Sequence, residues 1–75
     1  MDKNKTKEYL AGCIETNEEC YENGYHENEA FVDGVYNRYI DNLDFIQAGE
    51  YSEIDAKDDA IKDELSFWNE MNREM

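Results

Sequence analysis

Apolar residues recur along this chain at three- and four-residue intervals in three separate stretches, and that spacing predicts three helices. In the first stretch Tyr9, Leu10, Cys13, Ile14, Cys20 and Tyr21 fall near i, i+4 and i+7 relations, with carboxylates between them. Asn23-Gly24 supplies its stop, since both residues tolerate the left-handed conformation that ends helices. In the second, Phe31, Val35, Tyr39, Leu43 and Ile46 form a stripe, widened by Val32, Tyr36 and Ile40 and closed by Ala48-Gly49. The third opens at Ser52-Glu53-Ile54-Asp55, a serine with an acid three residues on, close to the capping-box pattern. Its apolar positions are Ile54, Ile61, Leu65, Trp68 and Met71, with Ala60, Phe67 and Met75 alongside.

A hairpin competes for part of this pattern. Phe31-Val32-Asp33-Gly34-Val35-Tyr36 sets Asp-Gly between β-branched and aromatic residues, a strong short-range hairpin signal. Asn23-Gly24 between Tyr21 and Tyr25 is a weaker one. Together they would build a small antiparallel sheet in an α+β domain. Helix is preferred because the stripe runs on through Tyr39, Leu43 and Ile46. Strict alternation also fails at the adjacent apolar pairs Tyr39-Ile40 and Phe45-Ile46. The expected fold is all-α, a small three-helix bundle formed by one acidic domain over residues 1–75, with the α+β arrangement as the alternative. The chain has no proline, so nothing of that kind interrupts its helices.

Charge changes the picture. The 75 residues carry 20 acids against 7 bases, a formal net charge of −13. From Glu8 to Glu29 there are seven carboxylates and no lysine or arginine, whereas residues 1–7 are net +2 from Lys3, Lys5 and Lys7 against Asp2. Such an excess opposes compaction by self-repulsion, and a chain this short buries only about 60% of its unfolded surface. High charge with few apolar residues describes disordered chains. The aromatics, 13% of the residues, argue for a folded one. An acidic surface also repels anionic lipid and nucleic acid.

Candidate chemistry is thin. His26 is the sole histidine and is expected to be a solvated residue of an acidic loop; with two cysteines it makes a poor zinc set. A Cys20–His26 nucleophile pair would lack an orienting partner. No calcium loop fits, since counting from Asp55 puts Lys57 at position 3 and Ala60 at position 6, and counting from Asp41 puts Leu43 at position 3. The four glycines are isolated, so no phosphate loop forms. Neither a catalytic site, a cofactor nor a metal is expected. On one helix Cys13 and Cys20 would stand about 10 Å apart, beyond disulfide reach, which points to free thiols in a reducing, cytoplasmic setting. The start, Met1-Asp2-Lys3-Asn4-Lys5, leads into no signal-peptide run.

The carboxylates themselves remain. Acids three or four residues apart on a helix stand about 5–6 Å apart on one face, a scale comparable to the spacing of phosphates along DNA. Glu15, Glu18, Glu19 and Glu22 make one such row. Asp55, Asp58, Asp59 and Asp63 make a second, continued by Glu70 and Glu74. The acidic excess is not balanced by the lysines at i+4 that a merely soluble helix uses for support. Tyr25 and Tyr51 fall in predicted turns, where exposed aromatics among charges serve as interface anchors; Tyr25 is taken as a contact residue. Phe67, Trp68 and Met71, with Met75, cover more than one face of the last helix. They form the expected oligomer interface, since small proteins often gain stability by dimerising.

In size, charge and aromatic content the chain resembles the small acidic DNA-mimic proteins of bacteriophages, which include inhibitors of restriction enzymes, of CRISPR nucleases and of nucleoid proteins such as the histone-like HU. The resemblance implies a non-enzymatic inhibitor that occupies the basic DNA-binding groove of a host cytoplasmic protein by competition with DNA, while the acidic charge itself argues against direct contact with nucleic acid or membrane. The rival expectation is a small adaptor or regulator that binds through an apolar helix face around Phe67 and Trp68.

Overall fold

The computed structural model describes residues 2–44 and 52–73, the side chain of Arg73 excepted. Among them are four α-helices and one 3-10 turn, and no strand: α1 (Lys3–Glu15), α2 (Glu18–Glu22), the 3-10 turn Tyr25–Glu27, α3 (Glu29–Leu43) and α4 (Glu53–Arg73). The fold is a small all-α one. The hairpin alternative is overturned, because Asp33 and Gly34 lie inside α3. Asn23-Gly24 joins α2 to the 3-10 turn, with Gly24 in the left-handed region at φ 72°. The predicted stop at Ala48-Gly49, and Phe45, Ile46, Tyr51, Glu74 and Met75, lie outside the described residues.

Each helix starts on a short polar side chain that satisfies backbone N–H groups left open by the first turn. Asp2 accepts from the N–H of Asn4 (2.9 Å) and Lys5 (3.3 Å). Asn28 accepts from Ala30 (3.0 Å) and Phe31 (3.2 Å). At α4 the capping box closes both ways: the Asp55 N–H donates to Ser52 Oγ at 3.1 Å, and the Ser52 N–H donates to Asp55 Oδ2 at 3.4 Å. The single helix expected over the first stretch is broken, because Asn17 accepts from the Cys20 N–H at 3.1 Å and starts α2 anew. An asparagine side chain that bonds the backbone locally competes with helix continuation. The three expected helices thereby become four.

The core gathers Leu10 and Ile14 from α1, Cys20 from α2, Tyr25, then Phe31, Val35 and Tyr39 from α3, and Ala56, Ala60 and Ile61 from α4. The i, i+4 stripe of α3 is the spine, with α1 and α4 both packed against it. Two expected core positions are not there. Tyr9, beside the buried Leu10 on α1, is 51% exposed, and Tyr21, moved onto α2 by the break at Asn17, is 57% exposed. Ile54, in the first turn of α4, is also exposed. Cys13 and Cys20 are free thiols on separate helices.

The end of the molecule near α2 is closed by aromatics. Tyr25 stacks on Phe31 with ring centroids 4.6 Å apart and planes 8° apart. Trp68 meets Tyr25 at 5.6 Å and Phe31 at 5.9 Å, tilted by just over 50° to each. Such tilted and offset pairs add to the burial of their area.

Candidate partner-binding surface

The two acidic rows expected from the sequence are both exposed, but neither is a simple row. Glu15 ends α1, while Glu18, Glu19 and Glu22 stand on α2, so the break at Asn17 splits the first row over two helices. The α2 trio is held in place. Asn17 caps the helix at one end, Asn23 bonds the Glu19 carbonyl through Nδ2 at 2.8 Å at the other, and Asn69 of α4 donates to Glu19 Oε2 at 2.9 Å. Glu18, Glu19 and Glu22, with Asn17, line a shallow acidic depression. Glu15, Glu18 and Glu22 make no ion pair or side-chain hydrogen bond among the described residues.

The second row lies along α4 and is partly engaged. Asp55 belongs to the capping box, and Asp58 pairs with Lys57 at 3.2 Å. That hydrogen bond holds the Lys57 ammonium above its usual pKa. Asp59 has a partner of its own, and Asp63 stands exposed. Glu19 at Asn69 ties the first row to the C-terminal half of α4, whereas Asp55–Asp63 occupies the N-terminal half. Between them runs a groove of about 440 Å³ separating the end of α1 from α4, lined by Cys13, Thr16, Lys57, Asp58, Lys62 and Leu65 among others. The second row thus stands on α4 itself, with Lys57 and Lys62 of the same helix lining the groove.

Two expected contact residues belong to the core instead. Tyr25 is only 6% exposed, and its hydroxyl accepts from Asn72 Nδ2 at 3.0 Å. Its position in a turn suggested exposure; stacking on Phe31 buries it. Trp68, expected at an oligomer interface, packs against the core, and its indole Nε1 donates to Glu64 Oε1 at 2.8 Å. Phe67 and Met71 remain exposed, at 47% and 39%. His26 is also not the solvated residue expected: its ring stacks on Tyr21 at 4.8 Å, and its Nδ1 is buried without a hydrogen-bond partner.

Glu64 was absent from the expected rows and is the one buried charged residue among those described. The Arg38 guanidinium donates to its Oε2 at 2.7 Å while Trp68 holds Oε1. Gly34 makes room for it: a Cβ at that position of α3 would overlap the Glu64 carboxylate. A buried carboxylate needs such partners, because an unpaired charge out of water is strongly unfavourable. In sequence, the only hint is the glycine inside a helical stripe, which reads there as part of a turn.

Three of the lysines lie in the first seven residues. Lys7 pairs with Asp33, and Lys3 and Lys7 lie over the Tyr36 ring, 5.5 and 5.7 Å from its centroid. Among the described residues no helix is long and apolar enough to cross a membrane, and no group of three or more His, Cys, Asp or Glu is placed to hold a metal ion. Comparison with protein-family models, with curated proteins and with solved structures finds no match to this chain.

Proposed function

We propose that this protein is a non-enzymatic inhibitor that binds a basic DNA-binding protein and competes with DNA for it. The observation that carries the reading is the α2 trio. Glu18, Glu19 and Glu22 are fixed by caps at both ends of α2 and by Asn69, yet no cation among the described residues pairs with them. Exposed charge left unpaired on a rigid frame adds nothing to folding; it projects a field. Carboxylates carried on a capped backbone in this way steer a basic partner into encounter and repel nucleic acid and acidic surfaces.

The test is titration against a histone-like nucleoid protein, with duplex DNA as competitor. Binding that DNA displaces, and that weakens steeply as salt is raised, is the expected result. Affinity indifferent to both salt and DNA would sink the reading. A second reading, the adaptor with an apolar contact face, is favoured by one observation: Phe67 and Met71 are exposed one turn apart on α4. Trp68 drops out of that face, because its ring and its N–H are both engaged inside the molecule.

A further inference from the structure

Exposed residues in the C-terminal half of α4 combine the two features that the proposed function and its rival treat separately. Asp63, Phe67 and Met71 are each four residues apart, so they stand in one ridge along the helix. Glu70 flanks the ridge, three residues from Phe67 and one from Met71. Asp63 and Glu70 are exposed and make no ion pair or side-chain hydrogen bond among the described residues. Asn69, which meets Glu19, is two residues from Phe67 and so points about 200° away around the helix. The ridge is thus a different surface from the α2 trio.

We infer that the ridge Asp63–Phe67–Glu70–Met71 seats a basic amphipathic helix of the partner. The inference rests on the proposed function for the sign of the partner's charge. A straight i, i+4 ridge fits the groove between side-chain rows of another helix. Lysine and arginine lay their methylene stems along apolar surface and carry the charge to its edge. Stems on Phe67 and Met71 would bring their cations to Asp63 and Glu70. A purely polar basic strand would leave Phe67 and Met71 in water. A second copy of this chain would bring Asp63 and Glu70 against the other copy's acids, with Lys62 the one described cation over residues 60–72 to offset them. The ridge therefore anchors while the remote α2 carboxylates steer, and the two act on different rates: distant charges on association, a buried anchor on dissociation.

Two peptide probes of equal positive charge test this, one a helix with a leucine face bordered by lysines, the other with serine in place of each leucine. The intact chain binds the leucine peptide about tenfold more tightly than the serine one, the order expected for one buried anchor. Phe67→Ser, or Met71→Ser should the first variant lose helix content, removes that preference by speeding dissociation. Glu18→Gln with Glu22→Gln slows association to both peptides alike and keeps the preference. Amide shifts on adding the leucine peptide centre on residues 63–71. Salt-sensitive, DNA-competed binding to the nucleoid protein with an unchanged preference in Phe67→Ser would overturn the ridge alone. Loss of all salt-sensitive binding in the intact chain would overturn the proposed function with it. A free chain that sediments as a dimer and becomes a monomer on Phe67→Ser would also overturn the inference, because a second copy would then own the ridge.

Discussion

Glu64 sits on α4 with its side chain 8% exposed, between the Arg38 guanidinium and the Trp68 indole, whereas Glu18 opens α2 in full contact with solvent and with no cation beside it. The side chains are identical and the settings opposite. Around Glu64 the fold has arranged a cation, an N–H donor and a glycine that clears space, so this carboxylate fixes how α3 meets α4. Around Glu18 the fold has arranged the backbone only. Carboxylates of the first kind hold the protein together, and those of the second kind oppose its folding slightly while shaping what approaches it.

Removing Glu64 breaks the comparison most severely. Glu64→Ala strands Arg38 and the Trp68 N–H; because Arg38 is partly exposed and can reach water, the loss falls at the low end for a buried pair, about 3 kcal/mol by urea unfolding. Gly34→Ala comes next. Its methyl meets the Glu64 carboxylate and costs about 1–3 kcal/mol through forced repacking. In a Glu64→Ala background the sign reverses, since alanine is the better helix former by up to about 1 kcal/mol. A double-mutant cycle measures that coupling, and additive losses would mean that the glycine is not serving Glu64.

A smaller effect separates the two thiols. Burial, with Glu19 nearby, pushes Cys20 up to about 11, well above its ordinary value. A thiol whose folded pKa is raised favours folding in its protonated form. That contribution is whole below the unfolded thiol's pKa and is lost as pH rises toward about 11. Stability should therefore fall across the alkaline range between those two values, and Cys20→Ala should flatten the fall. Alkylation in native conditions should reach the half-buried Cys13 first.

The smallest folding effect belongs to the α2 trio. Glu18→Gln with Glu22→Gln should change stability by no more than about 0.5 kcal/mol, with any shift toward greater stability, because exposed unpaired charges carry little folding energy. Added salt should act in the same direction, raising the melting temperature of the intact chain by screening its self-repulsion.

The helices were legible where one periodic face decides burial. The stripe Phe31, Val35, Tyr39 survives whole, and the Ser52–Asp55 cap is found as its residues suggest. The break at Asn17 was not legible, because Thr16-Asn17 suits a helix surface as readily as a cap, and only the capping bond to Cys20 decides. The chain has eight asparagines. Six of them cap helices or bridge elements: Asn17, Asn23 and Asn28 at helix ends, Asn42 to the Ala56 carbonyl, Asn69 to Glu19 and Asn72 to Tyr25. For the candidate surface, exposure of the acids could be read from the sequence, but partnership could not. Whether Glu64 meets Arg38 across 26 residues depends on which helices pack. Tyr25 and Trp68 were misplaced for the same reason: their tilted ring contact exists only once the chain has closed on itself.

The central claim is that the α2 carboxylates are surplus to the fold and serve recognition. Its most direct test is the affinity of the intact chain and of the Glu18→Gln, Glu22→Gln variant for a basic duplex-DNA-binding protein, each measured at about 50 and about 200 mM salt. Affinity that falls with salt, and a variant that binds more weakly with a shallower salt dependence while melting no lower than the parent, is the predicted result. Equal affinities and equal salt slopes in the two proteins would contradict it.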